Sequence, residues 1–198
     1  MNEPITENDV LNYFYVGRVN IKNNIVDVMG YCEARVKLKE FPFQFGKSEG
    51  DFDCAHLLLT SLVGSPREVI GQFDCSSNNL KSLVGGPIKV TTNYICKNNF
   101  ITSLDGGPVE VGNSFNCAGN DLTSYKGLPE TIGGRLMCDW IEDAPILSLL
   151  KYNDIIIVSH GTVSRILQTY AGQKPLRQAI IKCQRELIDN GFEGNARL

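Results

Sequence analysis

The sequence predicts an α/β solenoid: short parallel strands stacked coil upon coil, with helical caps at both ends. Three observations predict it. Cys54, Cys75, Cys96, Cys117 and Cys138 follow one another at intervals of 21 residues. Apolar columns around those cysteines repeat at the same period. Glycine and then proline recur at fixed offsets behind them, as Gly64, Gly85, Gly106, Gly127 and Pro66, Pro87, Pro108, Pro129. A period near 21 held over four full units and a partial fifth marks a stack in which no coil buries its apolar face alone.

In chain order, residues 1–49 read as an N-terminal helix followed by a degenerate capping coil. Thr6 and Asp9 form a capping box ahead of Val10, Leu11 and Phe14, which share one helix face. The stretch "VDVMGYCEARVKLKEFPFQFGK" puts Leu38 and Phe41 in the columns of paired leucines, with Cys32 one residue out of register.

Residues 50–140 are the regular solenoid. Two positions before each cysteine stand Phe52, Phe73, Tyr94, Phe115 and Leu136, so "F-x-C" sends two side chains to one face of a short strand. Leu59, Leu80, Ile101, Leu122 and then Leu62, Leu83, Leu104, Tyr125 fill the next two inward columns, and the Gly-x-Pro turns the chain back. One coil therefore reads as a strand, a bend, an extended return ending at Val69, Val90, Val111 or Ile132, and a second bend. Asn78, Asn99 and Asn120 occupy a column where an inward amide can serve backbone groups left unpaired at the bend. Leu57 stands in that column in the first coil, which is therefore expected to bend differently.

Residues 141–198 break the period. "EDAPILSLLKY" reads as a short helix with Pro145 in its first turn, and "DIIIVS" as a strand added to the sheet. Val163, Ile166, Leu167 and Tyr170 form one helix stripe ended by Gly172. Leu176, Ala179, Ile180, Cys183 and Leu187 form a second, ended by Gly191. The segment serves either as a lid or as a partner-binding module.

The pattern F/L-x-C-x-x-N-x-L-x-x-L resembles the leucine-rich-repeat signature. The chain is similar to the short-repeat "GDFDCSNNxLTSLxGxP" type found in tailed bacteriophages and their bacterial hosts. The resemblance implies a right-handed leucine-rich-repeat solenoid with a parallel sheet on its concave face. It gives no activity, because members of that family mostly lack an assigned one.

Composition narrows the function classes. The formal net charge is −3, with seven Lys/Arg against four Asp/Glu from Lys151 onward, which leaves residues 1–150 at −6. No basic stripe invites nucleic acid. No apolar run reaches the roughly 20 residues of a membrane span, and "MNEPITEND" is unlike a signal peptide, so a cytoplasmic location is expected.

Cysteines 21 residues apart do not supply the close pairs of a structural zinc site, and parallel Cβ vectors suit disulfides poorly. The column is expected to be packing, with no metal and no cofactor. "VSHGTVSRIL" resembles the second histidine motif of histidine phosphatases, with His160 where a strand meets a helix whose amides could hold a phosphate. The chain has no R-H-G motif, and its only other histidine is His56. Bacterial effector ligases also join short leucine-rich repeats to helices, but their ligase domain is far larger than this tail.

What remains is a surface. Outward positions vary while the core columns repeat, and the candidate partner-binding set is Asp51, Asp53, Asp74, Ile95, Lys97, Asn116, Arg135, Met137, Asp139 and Trp140. It begins acidic, turns neutral and ends mixed. The expected function is non-enzymatic capture of a protein partner, with a host protein implied by the phage-type resemblance. The alternatives are a phosphate-ester enzyme centred on His160 and a structural or assembly role.

Overall fold

The structure, a computed structural model, describes residues 3–197. Helix α1 (Glu7–Tyr13) leads into a hairpin of β1 (Phe14–Lys22) and β2 (Ile25–Ala34), and β3 (Gln44–Ser48) completes the first coil. The regular coils follow as strand pairs. These are β4 (Phe52–Asp53) with β5 (Glu68–Val69), β6 (Phe73–Asp74) with β7 (Lys89–Val90), β8 (Tyr94–Ile95) with β9 (Glu110–Val111), and β10 (Phe115–Asn116) with β11 (Thr131–Ile132). Next come β12 (Arg135–Cys138), a 3-10 turn (Leu147–Lys151), β13 (Asp154–Ile157), α2 (Gly161–Tyr170) and α3 (Leu176–Asp189). The fold is the expected α/β solenoid.

Two parallel ladders run through the stack where the repeat suggested one. The first is β2-β4-β6-β8-β10-β12-β13 and the second β3-β5-β7-β9-β11. Strand β2 belongs to both: its start pairs with β3 and its end with β4. The extended return is thus itself a strand. Val69, Val90 and Val111 point inward in register, which aligns the residues before them to pair as well.

Every apolar inward column is buried. Phe52, Phe73, Tyr94 and Phe115 stack with ring centroids 5.1–5.9 Å apart. The five periodic cysteines lie beside them, fully buried and unbridged. Burial raises their thiol pKa values well above the ordinary range, Cys138 to about 12. A thiol held neutral in this way packs as a small hydrophobe and is a poor nucleophile.

The bends are built from side chains that serve backbone. Asn78 Oδ1 accepts from the Leu57 and Leu59 amides of the preceding coil, while its Nδ2 donates to the Cys54 and Cys75 carbonyls. Asn99 and Asn120 repeat the pattern one and two coils on. Just ahead of this column His56, Ser77, Asn98 and Gly119 all have φ between 55° and 70°. The first regular coil therefore bends as the others do, contrary to the expectation for Leu57. The bend is set by this left-handed residue, and the amide that Leu57 lacks is supplied by Asn78 from above.

Ser61, Ser82, Ser103 and Ser124 each accept from the amide two residues on, which fixes the turn into the glycine column. Gly85 shows why glycine recurs there: φ is +89°, and a Cβ would lie 2.7 Å from the Val63 amide nitrogen.

The N-terminal cap departs from its sequence reading. The Thr6–Asp9 capping box is present and Val10 is buried, but Leu11 is exposed and Phe14 opens a strand. Phe14 is needed at the end of the core, where it packs edge-on to Phe45 at 5.1 Å beside Phe41 and Phe43. Asn23 and Asn24, both with positive φ, make the hairpin turn. Cys32 pairs with Phe52, so it occupies the phenylalanine column and not the cysteine column.

At the other end β13 extends the first ladder, and the 3-10 turn, α2 and α3 bury Leu150, Val163, Ile166, Leu167, Cys183 and Leu187 over it. One apolar core runs without a break from Val10 to Ala196. No helix among the described residues is long and apolar enough to cross a membrane.

Candidate binding face

The outward side of the first ladder is built from β4 to β10 by strands only two residues long, flanked by the longer β2, β12 and β13. In each strand an inward apolar residue is followed by one that the pleat turns to solvent. Pairing aligns Glu33, Asp53, Asp74, Ile95, Asn116, Met137 and Ile156 in one row across seven strands. The row starts with three carboxylates and ends with three residues of which two are apolar. Glu33 and Ile156 escape the 21-residue reading because they lie in the irregular first coil and in the added strand.

Several members of the candidate set also hold the scaffold. Asp53 Oδ1 accepts from the Ala55 amide and Asp74 Oδ1 from the Ser76 amide, both at 2.9 Å, and Asn116 repeats this with Ala118 at 3.1 Å. A short acceptor in this column closes the bend two residues later. At Ile95 no side chain can do so.

In the neighbouring row, Asp51 accepts from the Gln72 amide at 2.8 Å. Asn93 donates to Gln72 and accepts from the Ser114 amide. Arg135 is held by Asp154 at 2.7 Å, and Asp154 in turn accepts from Gln168 of α2.

The row after the cysteines is not the open face its spacing suggested. Ser76 and Ala118 are buried, and Asp139 turns back to accept from the amides of Gly119 and Asn120. From β4 to β12 each strand of this ladder ends at or just before its cysteine, so the residue after the cysteine lies outside the strand and enters the bend. Lys97 is exposed in this row. Ile95, Met137 and Ile156 are half-buried apolar side chains with no bond to the scaffold, and Lys97 makes no ion pair among the described residues.

Trp140 belongs to a separate cluster. Its ring lies 4.8 Å from that of His160 and 5.7 Å from Phe192, with His160 and Phe192 5.1 Å apart. His160 is the N-cap of α2 and its Nδ1 accepts from the Val163 amide at 3.5 Å. The ring thus has two aromatic neighbours and its own helix as partners. Arg165, one turn on, bonds to Glu186 at 3.3 Å, and His56 sits at the bend of the first regular coil. Nothing here brings a second histidine and an arginine to one phosphate.

A further surface feature has no counterpart in the sequence reading. A groove of about 420 Å³ follows the glycine bends beside the second ladder, lined by Gln44, Val63, Arg67, Gly85, Ile88 and neighbouring backbone. The signal was present in the sequence as exposed apolar residues at repeat positions outside the core columns. No family model, curated protein or solved structure matches this chain.

Proposed function

We propose that this chain is a non-enzymatic binding protein of the short-repeat leucine-rich-repeat type, and that it captures a protein partner on the outward side of its first ladder. The observation that carries the reading is the row Glu33, Asp53, Asp74, Ile95, Asn116, Met137, Ile156. It varies in charge and polarity from coil to coil while every inward column is nearly constant. The bends use a short acceptor in this row at Asp53, Asp74 and Asn116, but they do not need its change from carboxylates at one end to apolar side chains at the other. Such a row fits a partner presenting basic groups at one end and an apolar patch at the other. The phage-type resemblance suggests a bacterial host protein, such as an enzyme or a component of a defence system.

The test separates recognition from scaffolding. Asp53→Asn and Asp74→Asn remove charge but keep the oxygen that closes each bend, and Ile95→Ala and Lys97→Ala remove free side chains. The four together are expected to abolish capture of the partner from a host lysate while the thermal midpoint stays within a few degrees of wild type. Undiminished capture would sink the reading.

A further inference from the structure

The outward side of the second ladder carries an order that the first lacks. The residues following the prolines stack directly, each amide bonded at 2.9 Å to the carbonyl below, as Arg67, Ile88, Val109 and Glu130. This row reads positive, apolar, apolar, negative. Ile88 is 46% exposed and Val109 51%, and no ion pair among the described residues engages Arg67 or Glu130.

The next row is Lys47, Glu68, Lys89, Glu110 and Thr131, alternating in sign, with Lys89 and Glu110 3.2 Å apart. Beyond the buried valines a third row runs Ile70, Thr91, Gly112 and Gly133, large at one end and bare at the other.

The first and third rows complement their own reverse, and the middle row does so at its centre. If a second copy is laid face to face with its coil order reversed, about a twofold axis parallel to the strands between β7 and β9, Arg67 meets Glu130 of the other copy. Ile88 then meets Val109, Lys89 meets Glu110, Glu68 meets Thr131 and Ile70 meets Gly133, while Lys47 lies beyond the overlap. A twofold interface demands this kind of self-complementarity, since one patch must fit itself. A partner of uniform charge would meet the wrong sign at half of the charged positions.

We infer that the outward side of the second ladder is a self-association surface on which a second copy of this chain docks in this antiparallel stacking order. The surface is independent of the partner face on the first ladder. The four strands that overlap, about 4.8 Å apart, and three outward rows give a strip of roughly 250–300 Å² per copy. That is about a third of the ~800 Å² per partner in a standard stable interface, so the dimer is weak and concentration-dependent.

Sedimentation velocity from about 5 to 500 µM at low salt tests this. Wild type is expected to pass from monomer to dimer and to stop there. Glu130→Arg creates two like-charge contacts by symmetry and is expected to weaken the dimer at least about tenfold. Arg67→Glu is expected to do the same, and the double variant to recover wild-type association. Ile88→Asp, at the centre, is expected to leave a monomer with an unchanged circular dichroism melt. A wild type that stays monomeric at 500 µM, or species growing past the dimer, would overturn the proposal. So would a double variant no better than either single one.

Discussion

Asn99 and Tyr94 show at single-residue scale how closely this stack accounts for its polar atoms. The Asn99 amide is buried, yet it accepts from the Leu80 amide and donates to the carbonyls of Cys75 and Cys96, so one side chain ties two coils. The Tyr94 hydroxyl is the contrary case. It stands in the phenylalanine column, fully buried and without a hydrogen-bond partner, and Gly86 leaves the space it fills. An unpaired buried hydroxyl costs about 1–3 kcal/mol, while the ring packs as Phe73 and Phe115 do on either side. Tyr94→Phe is therefore expected to stabilise the protein by about 1 kcal/mol, read as a higher urea midpoint at unchanged slope. A lower midpoint would mean that the hydroxyl has a partner after all.

At the scale of elements, legibility followed the repeat. Where 21-residue spacing held, strands, bends and the amide-bonding asparagine column were readable, because stacking forces each column to one environment. The C-terminal helices were readable for another reason: Val163, Ile166 and Leu167, then Ala179, Cys183 and Leu187, mark buried stripes of ordinary amphipathic helices.

The second ladder was not readable, since one inward valine per return carries no alternation to distinguish a two-residue strand from an extended loop. The N-terminal hairpin lies outside the 21-residue period, and its one local mark is Asn23-Asn24 between alternating apolar residues, a turn signal. Phe14 read equally well as the last residue of a helix stripe. Of the binding face, the row before the cysteines was legible, because strand alternation fixes it. The row after them was not, because the bend begins there.

The molecule as a whole is a single core threaded by seven buried thiols, and this sets its response to pH. Burial raises the folded thiol pKa values above their ordinary value near 9, Cys183 to about 12. The unfolded chain therefore loses protons first. This contribution is full well below pH 9 and falls as pH rises through it, by about 0.4 kcal/mol per thiol at pH 9 and about 1.4 at pH 10. The thermal midpoint by circular dichroism is therefore expected to fall as pH rises from about 8 to about 10.5, and a midpoint unchanged over that range would contradict burial of the column.

The central claim is a division of labour: inward columns make the stack, and the free outward side chains of the first ladder make the contact. The most direct test is a substitution scan of residues 50–140 read twice, once for soluble folded protein and once for partner capture. Core columns are expected to lose both together, whereas Ile95, Lys97 and Met137 lose capture at full abundance. Capture that tracks abundance at every position of this face would contradict the account.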